Sequence, residues 1–75
     1  MGDPSHYHTN VFWSDEDGSF VADIPDLEGC SAFGETPQQA LEQVLVARDL
    51  WIETARKKGM AVPEPRYRPA IYLAG

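Results

Sequence analysis

One cysteine, no long apolar run and a single basic residue in the first 55 positions are what this 75-residue chain most conspicuously lacks. A lone cysteine, Cys30, excludes an intramolecular disulfide. No apolar stretch approaches the roughly 20 residues needed to cross a bilayer, which excludes a membrane-spanning helix. The start MGDPSHYHTN has neither a basic segment nor an apolar run, so no secretory signal is read and the expected location is the cytoplasm. The scarcity of bases is uneven. Up to Ala55 eleven acids face one base, Arg48, a balance of −10; beyond it Arg56, Lys57, Lys58, Arg66 and Arg68 face only Glu64, a balance of +4. An acidic body repels a phosphate backbone and suits either a basic partner or plain solubility. A chain this short holds one small domain over residues 1–75, and with no disulfide or metal cluster to staple it, oligomerisation to a dimer or tetramer is expected.

What is present is organised by turn residues. Tyr7–Ser14 alternates, with Tyr7, Thr9, Val11 and Trp13 on one face and His8, Asn10, Phe12 and Ser14 on the other, as a half-buried strand requires. Asp17-Gly18 is a hairpin signal, because glycine accepts positive φ without steric cost. Ser19–Ile24 alternates again and is the second strand, which Pro25 ends because it has no N–H to donate. Gly29 and Gly34 bracket a short third strand at 30–33. Thr36 then serves as N-cap, Pro37 as the first helical residue and Gln39 as the third member of a capping box. A helix is predicted over 37–58, with Gly59 at the left-handed position after it and Met60 as the contact of a Schellman motif. Its apolar stripe is Ala40, Val44, Ala47, Trp51 and Ala55, flanked by Leu41 and Leu50, and Leu45 and Ile52 widen it beyond what a small sheet needs. These two are the self-association candidates; the competing account is that the C-terminal segment folds back over them. AVPEPRYRP is an extended connector, and 70–73 is a last strand candidate. The predicted order is β-β-β-α-β, an α+β fold with one long helix on a small, mainly antiparallel sheet.

Candidate chemistry is sparse. Cys30 has no cationic neighbour in sequence and lies in an apolar strand, the setting of a buried structural thiol. His6 and His8 share a strand face but have no third ligand at a fixed spacing. The acids Asp15, Glu16 and Asp17 do not continue into the 12-residue calcium loop pattern, so they form a solvated hairpin tip. The glycines match no phosphate-binding fingerprint, and the basic tail RKKGMAVPEPRYR has no helix-turn-helix or zinc-finger spacing with which to read bases. No catalytic residue, metal site or cofactor is expected. Trp13 and Trp51 are core or interface anchors.

The succession DEDGSFVADIPDLEGCSAFGETPQQALEQ, continued along the helix to GMAVPEP, resembles the HicB-like antitoxin family, which neutralises HicA toxins in toxin-antitoxin pairs. The resemblance is carried by the D-G hairpin at Gly18, by P-D-L-E-G-C with Pro25, Gly29 and Cys30, by G-E-T with Gly34 and Thr36, by Ala40 one turn into the helix, and by Gly59. It implies a degenerate ribonuclease-H-like fold. Ribonuclease H enzymes hold two metal ions on carboxylates from adjacent elements; the first strand here carries no acid and the second only Asp23, so nuclease activity is not expected. The resemblance further implies a small basic RNA-cleaving toxin as partner, neutralised by covering its active site. Many family members add a C-terminal DNA-binding domain. This chain stops at Gly75, shortly after the last predicted strand, so direct DNA binding is not expected.

On this basis Asp15, Glu16, Asp17, Asp26 and Glu28 are the candidate toxin contacts. Two other roles stay open: an oligomeric scaffold without a toxin, and a vestigial metal-dependent nuclease.

Overall fold

A computed structural model of the chain describes residues 6–68. Three strands, β1 (Asn10–Ser14), β2 (Ser19–Asp23) and β3 (Ser31–Gly34), form an antiparallel sheet in the order β1-β2-β3, and one helix, α1 (Pro37–Lys57), follows. The expected final strand at 70–73 lies outside the described residues. The first strand is shorter than the alternation of Tyr7–Ser14 suggests. Extending the β1–β2 register, in which Asn10 faces Asp23, would set Thr9 against Ile24 and His8 against Pro25. The Ile24 N–H points to the other side, bonding the Cys30 carbonyl at 3.0 Å, so the next bond towards β1 would fall at Pro25, which has no N–H to donate, and pairing stops at Asn10.

The register decides which side chains share a face. Val11, Ala22 and Ala32 form one cross-strand row and Trp13, Phe20 and Gly34 the next, on the side that α1 covers. Phe12, Val21 and Phe33 form a row on the opposite side. The core lies between sheet and helix, where Ala22, Ile24, Leu27, Cys30, Ala40, Val44 and Ile52 are buried and Tyr7 closes one end. Ile24, Leu27 and Val44 are its largest fully enclosed side chains, each stabilising the fold by about 1.5–3 kcal/mol on transfer grounds.

Small residues set the distance between the layers. A Cβ built on Gly34 would lie 2.4 Å from the Ala40 nitrogen and 2.8 Å from the Gln39 carbonyl carbon. The end of β3 and the first turn of α1 therefore touch backbone to backbone, a contact that only glycine permits.

Both helix ends carry the predicted caps, with one change. Thr36 Oγ1 accepts from the Gln39 N–H at 3.0 Å, with Thr36 in extended conformation and Pro37 opening the helix. The Gln39 side chain reaches back one residue further than a capping box requires, accepting from the Glu35 N–H. At the other end Lys58 is the C-cap, and Gly59 takes φ +70°. The Met60 N–H bonds the Ala55 carbonyl at 2.8 Å and the Gly59 N–H that of Arg56 at 3.2 Å, the two bonds of a Schellman motif.

The C-terminal segment does fold back, but over the sheet end and the 24–27 turn. Val62 packs against the core, and the Tyr7 hydroxyl donates to the Pro63 carbonyl. The Asp26 carboxylate accepts from the Arg66 N–H at 3.0 Å and from the Tyr67 N–H at 3.1 and 3.2 Å to its two oxygens. The Tyr67 ring leans on His8, with centroids 4.6 Å apart.

Candidate functional site

The hairpin tip is built by local hydrogen bonds. Ser14 Oγ donates to Asp17 Oδ2 at 2.8 Å and accepts from the Asp17 N–H at 3.3 Å, while the Gly18 N–H closes the turn on the Ser14 carbonyl at 2.9 Å. Gly18 has φ +62°, the positive value for which glycine is suited. The Trp13 indole N–H donates to Asp15 Oδ1 at 2.7 Å. Asp15, Glu16 and Asp17 are all solvent-exposed.

Asp26 and Glu28 are elsewhere. They lie in the turn after β2, about 17 Å from the tip given five residues at roughly 3.4 Å each. Asp26 is half-buried and occupied by the 66–67 backbone, whereas the Glu28 side chain is exposed and its carbonyl accepts the Trp51 indole N–H at 2.9 Å. The five candidate acids therefore form two groups at opposite ends of β2. Sequence spacing gave no warning that Asp26 serves the chain's own C-terminal segment.

The helix candidates also separate. Ile52 is 5 % exposed and belongs to the core cluster, against which Val62 of the C-terminal segment packs, so the fold of the single chain already covers it. Leu45 is half-buried. The apolar side chains that α1 does expose are Leu41, Val46 and Leu50, the last two at 57 % and 58 %. Beside Leu50 a groove of about 510 Å³ runs between the helix and the 28–30 turn, floored by Cys30, Ala47 and Ala55 and walled by Trp51 and Met60.

Cys30 is buried, and desolvation pushes its thiol up from the ordinary cysteine range; Asp23 adds to this, and the Arg48 guanidinium opposes it. Such a thiol is a poor nucleophile. Asp23 has Asn10 and Ser31, not acids, as its cross-strand neighbours. Among the described residues no three His, Cys, Asp or Glu side chains gather where they could hold a metal ion, and His8 Nε2 is 2.7 Å from Asn10 Oδ1. No helix among the described residues is long and apolar enough to cross a membrane.

Sequence reasoning passed over Phe12 and Phe33, which are 49 % and 55 % exposed on the face without a helix. Their signal is the alternation itself, readable only once the register shows that they flank Val21.

Fold and surface together define a small α+β domain, three antiparallel strands under one long helix, whose exposed features are acidic turns and apolar patches. The chain belongs to the HicB-like antitoxin family: the family described as HicB-like antitoxin of bacterial toxin-antitoxin system matches residues 7–70. The chain is also similar to the UPF0150 protein ssl0259 of Synechocystis sp., at 43 % identity over 53 residues, 71 % of this chain and 73 % of that one. It is similar to the UPF0150 protein Ta0767 of Thermoplasma acidophilum as well, at 34 % identity over 56 residues, 75 % and 81 % of the two chains. No solved structure gives a significant match.

Proposed function

We propose that this chain is an antitoxin domain that binds a small basic RNA-cleaving toxin of the HicA type and neutralises it by covering its active site. Family membership supports an antitoxin role and, with it, a toxin partner and a non-enzymatic part for this chain. The observation that carries the finer reading is the segregation of charge. All six lysines and arginines lie on α1 or after it, so the hairpin tip between β1 and β2 carries acids alone, while the returning segment sets Arg66 beside the Asp26 turn. A surface made to hold RNA is cationic, and an acidic face is steered to it at a rate that falls as salt rises. The exposed contacts proposed are Asp15, Glu16, Asp17 and Glu28; Asp26 contributes through the turn it fixes.

Self-association belongs to the same proposal. Leu41 and half-buried Leu45, one turn apart on one flank of α1, with exposed Val46 and Leu50 towards the other, leave apolar area on the helix that a second copy would cover.

The test is co-expression with a small basic reading frame adjacent to the gene, scored by growth rescue and co-purification. Rescue with a stable complex is expected, and the toxin's RNA cleavage should fall in proportion to complex formed. A toxic neighbour that neither binds this chain nor is relieved by it refutes the proposal. RNA or hybrid cleavage by the purified chain with magnesium, abolished by Asp23→Asn, would instead favour the nuclease.

A further inference from the structure

The face of the sheet turned away from α1 has a layered pattern. Its central row, Phe12–Val21–Phe33, crosses all three strands, with Val21 at 8 % exposure between two half-exposed phenylalanines. The row Asn10–Asp23–Ser31 lies on one side and the pair Ser14–Ser19 on the other, where the hairpin acids begin. No lysine or arginine lies on any strand. Asp23 Oδ1 is shielded from water and has no hydrogen-bond partner among the described residues.

We infer that this open face, with Phe12 and Phe33 as anchors and Asp23 with the hairpin acids as its charged margin, is where the basic toxin docks. The inference rests on the antitoxin reading and specifies its surface. An apolar centre inside a polar rim is the anatomy of a protein interface, and aromatic side chains at its centre carry a large part of the binding energy. Charge chooses the occupant, and area sets how far it must reach. A second copy laid on this face would bring Asp23 and the hairpin acids against acids of the same kind with no base between them. The face is also small: three strands about 4.8 Å apart and five residues of about 3.4 Å span roughly 240 Å². That is well below the roughly 800 Å² each partner contributes to a stable interface. A basic partner reaching from the phenylalanine row across the hairpin tip gains both area and opposite charge.

The experiment titrates the full chain with the product of the adjacent small basic reading frame, its histidines replaced by alanine, by calorimetry at low and high salt. Phe12→Ser with Phe33→Ser is expected to weaken binding about 30-fold or more, the scale of a lost hot spot. Gln38→Ala with Gln43→Ala, at exposed helix positions outside both proposed surfaces, is the control and should leave toxin affinity unchanged; Val46→Ser with Leu50→Ser are the helix variants that read the competing surface. Ser31→Arg, which adds a positive charge to the face without removing core, is expected to weaken binding most at low salt, which keeps the inference open to refutation if the double variant misfolds. Toxin binding that survives the sheet variants and is lost on the helix variants overturns this inference and leaves the antitoxin reading standing. Sedimentation showing a dimer that only the sheet variants dissociate overturns it too, by giving the face to a second copy. A wild-type chain that binds no such protein removes both.

Discussion

Gly34→Ala is expected to be among the most damaging substitutions a single methyl group can cause here. The new Cβ would stand 2.4 Å from the Ala40 nitrogen and 2.9 Å from its Cα, and both are backbone atoms that no rotamer change can move. Ordinary contact needs about 3.5 Å or more between such atoms, so the first turn of α1 must retreat by about 1 Å from β3. Ala40 and Val44 are fully buried at this junction, and the retreat opens a gap above Ala22 and Ala32. Overpacking a fitted core costs about 1–3 kcal/mol, and backbone-to-backbone overlap belongs at the upper end. The reduced entropy of the unfolded chain returns only about 0.4–1 kcal/mol. A net loss of about 2–3 kcal/mol is a large share of the roughly 4–11 kcal/mol available to a 75-residue domain. It corresponds to a fall in Tm of about 10–20 °C. Urea unfolding followed by tryptophan fluorescence measures it. Gly29→Ala is the matched comparison: with φ +78° and nothing within 4 Å, it meets backbone strain and no overlap, and should lose about 1–2 kcal/mol. An unchanged midpoint for Gly34→Ala, or a smaller loss than for Gly29→Ala, would refute the close-approach account.

Two further outcomes follow from the C-terminal segment. Asp26→Ala removes the acceptor for the Arg66 and Tyr67 amides and should cost about 1–2 kcal/mol, discounted for partial exposure; amide exchange at 66 and 67 should accelerate, and protection retained at both would show that Asp26 does not hold the segment. The Tyr7 phenol is raised above the ordinary value of 10.0, first by burial and then by the carboxylates of Asp26 and Glu64, with Arg56 opposing. A raised folded-state pKa keeps the proton on the folded chain, so this contribution is complete below pH 10 and is lost as pH rises through the folded value. Ultraviolet titration should show one tyrosine ionising late, and Tyr7→Phe should remove both that phase and its share of the alkaline loss of stability; an ordinary titration for all three tyrosines would contradict it.

Antitoxin function on the scheme proposed here needs little chemistry from this chain. Of its hairpin acids, Asp15 is held by Trp13 and Asp17 by Ser14, so part of the ordering cost of binding is met before a partner arrives. The exposed apolar side chains of α1 and the phenylalanine row lie on different layers of the fold, so the self-association and partner capture proposed here would not compete for one surface.

Local chemistry by itself determined the order of β1, β2, β3 and α1, the hairpin at Asp17-Gly18, the stop at Pro25, and both ends of the helix through Thr36, Pro37 and Gly59. Each depends on backbone preferences of a few adjacent residues, which the sequence states directly. Family membership was legible too, because its pattern is largely these same turn and cap residues. Only the tertiary structure decided which residues each surface brings together. Ile52 fell inside, in the core cluster against which Val62 of the returning segment packs, a contact no single segment encodes. Asp26 left the toxin-contact group in favour of backbone amides 40 and 41 positions away. Phe12 and Phe33, 21 residues apart, became one row through pairing with Val21. The physical reason is common to all three: alternation tells which residues share a face, but only packing chooses the face that is covered.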